Sequence, residues 1–204
     1  MLLNKIPKFL ALAVVLAATA SIACWLAGFS VLLSLRTGWI NMKFNTAVAF
    51  AFSGFLLYCI TLSREGKTDK AQVVVPILSF VIILLMGTSF LSAIFGVRTG
   101  IESMFIEDAH PTLMTVVPGK PSLFTMLNFL LIATCGLLSA AGAERMRFKL
   151  RSIGLTVAMI GAVAVIGYIL NLPLLYYFIK DVNSAMALIT AALFILLGAG
   201  VACL

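Results

Sequence analysis

The chain has 204 residues, of which 63% are hydrophobic and only 10% are charged, and its formal net charge is +7. About a quarter of the residues of an ordinary soluble domain are charged, so this composition and a mean hydropathy of +1.18 exclude a typical soluble protein and favour an integral membrane protein. The basic residues lie in short gaps between apolar runs rather than among aromatic residues, which disfavours a nucleic-acid partner and indicates the lipid bilayer as the surroundings.

The first apolar run begins near residue 9 and continues without a charge to residue 35. Because Lys5 and Lys8 precede it, the start of the chain is similar to a secretory signal peptide. A cleaved signal has a shorter apolar region, whereas this run is long enough to span a bilayer at about 1.5 Å per residue. We therefore predict a retained first transmembrane helix.

Five further apolar runs of about 20 residues follow, and that is the length a spanning helix needs. The six predicted spans cover about 9–35, 44–63, 73–97, 123–143, 153–172 and 184–204. Pro76 falls in the first turn of the third predicted helix, where a missing N–H does little harm. The predicted fold class is an all-α integral membrane protein, with residues 1–204 forming a single membrane domain of six transmembrane helices.

Lysine and arginine are unevenly divided between the two sides of such a bundle. One side holds nine of them: Lys5, Lys8, Arg64, Lys67, Lys70, Arg145, Arg147, Lys149 and Arg151. The other holds five: Arg36, Lys43, Arg98, Lys120 and Lys180. Because cytoplasmic loops carry the excess of positive charge, we expect both termini in the cytoplasm.

The longest segment on the less basic side, residues 98–121, alternates acidic residues and one histidine with apolar residues. The alternation predicts a short helix on the membrane surface or folded over the bundle. The candidate ligand or interface residues on this side are Arg36, Arg98, Glu102, Asp108 and His110. The arginines suit an anionic ligand or lipid head group, or simply anchor helix ends. His110 lies close to carboxylates in the sequence, which suits a sensor of pH or of a metal ion. The alternative is that these side chains are simply solvated in a loop.

A set of residues recurs at fixed spacing at the start of three predicted helices. Met, Thr, Phe and Gly stand four residues apart in the second and sixth helices, and Thr and Phe keep that spacing in the fourth, where Pro121 replaces Met. The repeated positions are Met42, Thr46, Phe50, Gly54, Thr125, Phe129, Met186, Thr190, Phe194 and Gly198. Arg-Thr-Gly also recurs, at residues 36–38 and 98–100. Several matches at fixed spacing predict three helical hairpin repeats of parallel topology.

Each repeated residue type has a physical reason to recur. A threonine in the first turn can cap the helix or bond back to its backbone, and Phe and Gly four and eight residues later lie near one face. There the ring fills space and the glycine admits a neighbouring helix, so we expect these residues to pack the bundle. Gly154, Ala158 and Ala162 also stand four residues apart and predict close contact along the fifth helix.

No constellation for catalysis or cofactor binding is visible. One histidine cannot supply a bis-histidine haem site or a zinc-protease motif, no Gly-rich phosphate loop is present, and we expect neither an enzyme nor a cofactor. The four cysteines lie within apolar runs without CxxC spacing, so we expect small buried hydrophobes rather than disulfides or zinc ligands. No charge interrupts a predicted helix, and inverted repeats are missing, which disfavours a transporter or channel.

The segment MKFNTAVAF, residues 42–50, resembles the recurring element of multi-spanning membrane sensor modules that stand N-terminal to bacterial sensor histidine kinases and diguanylate cyclases. Gly167-Tyr168, the segment PLLYY at 173–177 and residues 186–198 are similar to the last hairpin of those modules, so the resemblance covers most of the chain. It implies a non-catalytic signal-input module of the bacterial inner (plasma) membrane that relays a signal to a cytoplasmic partner.

The sequence departs from that family plan in one respect. Up to Leu204 it holds no phosphoacceptor histidine region and no nucleotide-binding domain. We therefore expect either the isolated sensor part of a longer ancestor or a protein that works by docking to another. The alternative is a structural or accessory subunit of a larger membrane protein complex.

Overall fold

The structure is a computed structural model that describes residues 5–29, 39–66, 69–96, 119–142, 145–180 and 183–204. Helices make up most of these residues. Their bounds are Ile6–Leu26 (α1), Phe44–Arg64 (α2), Leu123–Ala140 (α4), Met146–Leu170 (α5) and Leu188–Ala202 (α6). Helix α3 comprises Asp69–Ile82, a π-helical turn at Ile83–Gly87 and Thr88–Phe95, and a short 3₁₀ turn at Pro173–Tyr176 precedes α6.

Helices α1 to α5 are long and apolar enough to cross a membrane. Helix α6 is equally apolar but has only 15 residues, which is about 22 Å at 1.5 Å per residue and less than the ~30 Å of a hydrocarbon core. The fold is therefore that of an all-helical, multi-pass protein embedded in a membrane. Large apolar side chains such as Phe9, Phe80 and Ile169 are mostly exposed, and in a bilayer they contact lipid.

Helices α2, α4 and α6 form the inside of the bundle, and α1, α3 and α5 lie around them. Helix α1 packs on α2 and α6, α3 packs on α2 and α4, and α5 packs on α4 and α6. The apolar stretch of α2 is 61% buried and that of α4 is 44% buried, against 28% for α1 and 33% for both α3 and α5. Each outer helix thus covers the groove between two inner helices.

Glycines set the distance between the helices of two of these pairs. A Cβ atom added to Gly198 of α6 would lie 2.5 Å from the carbonyl oxygen of Gly154 and 2.6 Å from the amide nitrogen of Ala158, both on α5. A Cβ on Gly54 of α2 would lie 2.7 Å from Cγ2 of Val15 on α1. These distances are shorter than real Cβ contacts, so only glycine lets the backbones approach this closely.

Several helix ends differ from the predicted spans. Helix α1 ends at Leu26 rather than near residue 35, because a turn follows in which Gly28 has a φ of +77°, a conformation that suits glycine. Helix α6 begins at Leu188 rather than near residue 184, because residues 183–187 are non-helical and buried in the end of the bundle. Helix α5 begins at Met146 rather than near residue 153. The basic residues that follow Met146 are good helix formers, so they extend the helix beyond the apolar run.

Two expectations about single residues are wrong. Pro76 lies in the interior of its helix rather than in the first turn, because the polar residues from Asp69 onward already belong to α3. Cys203 is exposed rather than buried, since it follows the last residue of α6 at the end of the bundle. Cys59 and Cys135 are buried as expected, and Cys24 is half-buried.

Candidate functional site at the start of the inner helices

The three inner helices begin with nearly the same backbone geometry. The φ/ψ pairs of the capping residues are −72°/150° at Lys43, −67°/153° at Ser122 and −63°/147° at Ala187. The third residue of each helix is a threonine: Thr46, Thr125 and Thr190. Residues equivalent in the repeated sequence pattern therefore occupy equivalent places in their helices.

A cavity of about 10 Å³ lies between these helix starts, so α2, α4 and α6 begin at the same end of the bundle. Its wall includes the three threonines, each at most 2% exposed, and the lysines Lys43 and Lys120. We call it the three-threonine cavity. Its volume is about that of one water-sized sphere, so any occupant is small.

The three hydroxyls differ in their hydrogen bonding. The Oγ1 of Thr125 lies 2.8 Å from Oγ of Ser122, which also caps α4 by accepting a 3.2 Å hydrogen bond from the amide of Thr125. The capping role expected of threonine thus belongs to Ser122 in α4. Thr46 and Thr190 are buried and line the same cavity.

Positive charge is concentrated around the cavity. The Nζ of Lys43, a residue only 4% exposed, donates to Oδ1 of Asn41 at 3.4 Å, and the Nζ of Lys120 donates to Oγ of Ser92 at 3.2 Å. Each helix N-terminus adds the equivalent of about half a positive charge. The described residues that line the cavity include no carboxylate.

Two aromatic side chains hold the segments that lead into α2 and α6. The indole Nε1 of Trp25 donates to the carbonyl oxygen of Met42 at 2.9 Å, and the hydroxyl of Tyr168 donates to the carbonyl oxygen of Met186 at 2.8 Å. These carbonyls precede the helices, so the aromatic donors supply a partner for buried backbone groups. Sequence reasoning missed both donors, although each stands 17 or 18 residues before a repeated methionine.

Asn183 joins the start of α4 to the segment before α6. Its Oδ1 accepts a 3.1 Å hydrogen bond from the amide of Leu123, and its Nδ2 donates to the carbonyl oxygen of Tyr177 at 2.7 Å. The rings of Phe124 and Tyr177 stack with centroids 4.0 Å apart. Burial raises the pKa of Tyr177, so its hydroxyl stays protonated and donates to the carbonyl oxygen of Ile160 at 2.9 Å. Sequence reasoning also missed this link.

Three phenylalanine rings meet one helical turn beyond the threonines. The ring centroids of Phe50 and Phe129 are 4.7 Å apart, those of Phe50 and Phe194 are 4.7 Å apart, and those of Phe129 and Phe194 are 4.9 Å apart. All three side chains are fully buried, and the tilted, edge-on arrangement is the one aromatic rings favour. Thus the repeated threonines and phenylalanines form two successive levels at the centre of the bundle.

The remaining predicted residues fall into two groups. Met42 and Met186 are buried beside their aromatic donors, and Gly54 and Gly198 lie at the close helix contacts described above. The candidate ligand residues lie outside the described residues: Arg36, Arg98, Glu102, Asp108 and His110. Sequence reasoning did not single out Ser53 and Asn128, whose side-chain polar atoms are buried without a hydrogen-bond partner in the described part of the chain.

The opposite end of the bundle carries basic residues around a second cavity of about 100 Å³. The Nζ of Lys8 lies 2.6 Å from Oε2 of Glu65, and the guanidinium of Arg64 donates to the carbonyl oxygen of Leu204. Arg147 lines the same cavity. This end, which we call the basic end, therefore presents a polar, positively charged surface, and we call its cavity the basic cavity.

No group of three or more histidine, cysteine, aspartate or glutamate side chains suited to a metal ion is found among the described residues. No protein-family model, curated protein or solved structure matches the chain. A functional assignment therefore rests on the residues and geometry given above.

Proposed function

We propose that the protein is a non-catalytic sensor module of the bacterial inner membrane, which receives a signal at the three-threonine cavity and relays it to a cytoplasmic partner. The observation that carries the proposal is that α2 and α6 run from this cavity to the basic cavity at the opposite end. Packed helices move as stiff bodies, so a change in their spacing at one end is transmitted to the other.

We further infer that the chain consists of three equivalent hairpins, α1–α2, α3–α4 and α5–α6, which cross the membrane six times. The proposal is supported by the matching capping geometry of the inner helices and by the cyclic packing in which each outer helix also touches the inner helix of another hairpin. The short α6 fits this arrangement because the buried segment 183–187 extends its path. Non-helical backbone is tolerated at membrane depth where protein surrounds it.

We place both termini in the cytoplasm. Of the described lysines and arginines, three lie near the three-threonine cavity: Lys43, Lys120 and Lys180. The others lie at the opposite end: Lys5, Lys8, Arg64, Lys70, Arg145, Arg147, Lys149 and Arg151. The positive-inside rule assigns the more basic end to the cytoplasm, and the same basic surface suits a docking site for a soluble partner.

Cys203 provides a test of the relay. It is exposed and lines the basic cavity, so a chain with the other three cysteines replaced by alanine has one thiol at the end opposite the threonines. We expect Thr190→Val to change the rate at which Cys203 reacts with a soluble maleimide by about threefold, since coupling between distant sites is of order 0.5–2 kcal/mol. Thr156→Val is the matched control, because Thr156 is exposed on α5. Equal rates in the two variants contradict the relay.

Purification from the native membrane separates the sensor from the alternative, a structural or accessory subunit. A sensor is expected to bring a soluble signalling protein with it, and this association should weaken when Arg147 is replaced by glutamate at the basic cavity. An accessory subunit is instead expected to bring other membrane proteins in fixed stoichiometry. Recovery as a lone monomer counts against both.

A further inference from the structure

We propose that the basic cavity binds a phosphate group, and that this group belongs to the head group of an anionic phospholipid. The inference goes beyond the proposed function. It concerns a ligand at the end of the bundle opposite the three-threonine cavity, and it needs neither a received signal nor a protein partner. Binding is measurable on the purified chain, so the lipid site and the relay stand or fall separately.

The basic cavity lies where four helices come together at the basic end. Its wall includes Pro7 of α1, the last turn of α2, Arg147 in the first turn of α5, and Cys203 and Leu204 after α6. The volume is about 100 Å³, whereas one water-sized sphere needs only ~10–15 Å³. A tetrahedral phosphate group therefore fits into this cavity.

Positive charge exceeds negative charge among the described residues of this wall. Arg64 and Arg147 both line the cavity, and the charge of Arg147 repels that of Arg64. Glu65 supplies the only carboxylate side chain of the described wall, and its Oε2 lies 2.6 Å from Nζ of Lys8. The ammonium group thus matches the charge of the carboxylate. A phosphate between the two guanidinium groups replaces their repulsion with attraction to a common anion.

The guanidinium of Arg64 is positioned to bind a ligand. It donates to the carbonyl oxygen of Leu204, and this bond holds the side chain across the ends of α2 and α6. A guanidinium carries five N–H donors in a planar fork, so Arg64 can bind the carbonyl and a phosphate oxygen at the same time. Arginine is the side chain best suited to bidentate recognition of phosphate.

The position of the cavity favours a lipid over a soluble phosphate. Arg64 is the last residue of α2, and Arg147 is the second residue of α5. Both residues therefore lie where a spanning helix leaves the hydrocarbon core, which is the level of the lipid head groups. Phe148 follows Arg147 directly, and Phe9 stands two residues after Pro7; the two rings are 72% and 73% exposed. Acyl chains are available to cover them, and basic pockets between spanning helices bind anionic head groups.

The main experiment counts the lipids that the full chain retains in native mass spectrometry. The chain, purified in a mild non-ionic detergent, is mixed separately with dioleoylphosphatidylglycerol or dioleoylphosphatidylcholine. We expect phosphatidylglycerol to be retained at one molecule per chain under conditions in which phosphatidylcholine is lost, because choline places a positive charge beside its phosphate. Equal retention of the two lipids, or retention of neither, overturns the proposal.

Inorganic phosphate distinguishes the two sources of the ligand. Cys203 is exposed and lines the cavity, so an occupant slows its reaction with a soluble maleimide. In a chain whose other three cysteines are alanine, we expect phosphatidylglycerol to slow this reaction about tenfold once the site is mostly occupied. Millimolar inorganic phosphate at constant ionic strength is expected to leave the rate unchanged. Equal protection by inorganic phosphate keeps the phosphate site and overturns the lipid as its source.

Paired variants separate the cavity from the general charge of the basic end. Arg147→Gln is expected to weaken the retention of phosphatidylglycerol about tenfold, since a charge-assisted hydrogen bond is lost. Arg151→Gln is the matched control, because Arg151 is exposed one turn further along α5 and is not on the cavity wall. The thermal unfolding midpoint without lipid shows that both variants are folded. Equal weakening in the two variants overturns the cavity as the binding site.

Discussion

The hydroxyl of Tyr168 on α5 donates a 2.8 Å hydrogen bond to the carbonyl oxygen of Met186, and both residues are buried. Met186 directly precedes Ala187, the capping residue of α6. The bond therefore fixes the point at which the chain turns into α6, and with it the position of Thr190 in the three-threonine cavity. Trp25 and Met42 make the corresponding contact before α2.

Removing that donor tests its contribution to stability. Tyr168→Phe leaves the Met186 carbonyl buried without its partner, so we expect a loss of about 1–3 kcal/mol in the free energy of unfolding. Reversible unfolding in mixed detergent measures the change. Tyr58→Phe is the matched control, because Tyr58 is a tyrosine of α2 that is only half-buried. Equal effects of the two substitutions would argue against a structural role for the Tyr168 bond.

A second prediction concerns the three phenylalanine rings that lie one helical turn beyond the threonines. Phe194→Ala removes a fully buried ring that contacts both Phe50 and Phe129, so we expect a destabilisation of about 3–5 kcal/mol from lost burial and the cavity left behind. Phe80 is 60% exposed on α3, and Phe80→Ala is expected to cost far less. The same unfolding assay compares the two, and similar losses would show that the cluster is not the core.

A third prediction concerns the close contact between α5 and α6. Gly198→Ala places a methyl group where the backbone of α5 lies within 2.6 Å, so α5 and α6 must separate, and we expect a loss of about 1–3 kcal/mol. Gly87→Ala on α3 is the control, since its added Cβ meets only ordinary contacts at 3.6 Å or more. Thermal unfolding midpoints of the two variants should differ, with Gly87→Ala near the unsubstituted chain.

The orientation in the membrane is testable with single cysteines. Once the four native cysteines are replaced by alanine, Lys180→Cys places a thiol near the three-threonine cavity and Arg145→Cys places one at the basic end, both at exposed positions. If the basic end is cytoplasmic, a membrane-impermeant maleimide should label residue 180 in intact cells. It should label residue 145 only after the membrane is opened, and the reverse pattern would invert the topology.

Much of the architecture could be predicted from local sequence. Long uncharged runs of Leu, Val, Ala and Phe indicate spanning helices because a bilayer leaves no water to solvate the backbone, and five of the predicted spans correspond to helices of sufficient length. Helix ends were predicted less well. Helix α1 ends at Leu26 because a glycine turn follows, and α6 begins at Leu188 because a buried non-helical segment precedes it. Hydropathy predicts neither feature.

The sequence by itself determined which residues recur: Thr46, Thr125 and Thr190, and the phenylalanines that follow them by four residues. It did not determine that they meet. Hydropathy does not mark the inward face of a membrane helix, because lipid is as apolar as the protein core. The four-residue spacing of Thr, Phe and Gly predicted a packing face on each helix, but only the tertiary structure decided which helices face one another, through glycine contacts and aromatic donors that join residues far apart in the chain. Those contacts bring three helix starts and two lysines around one cavity.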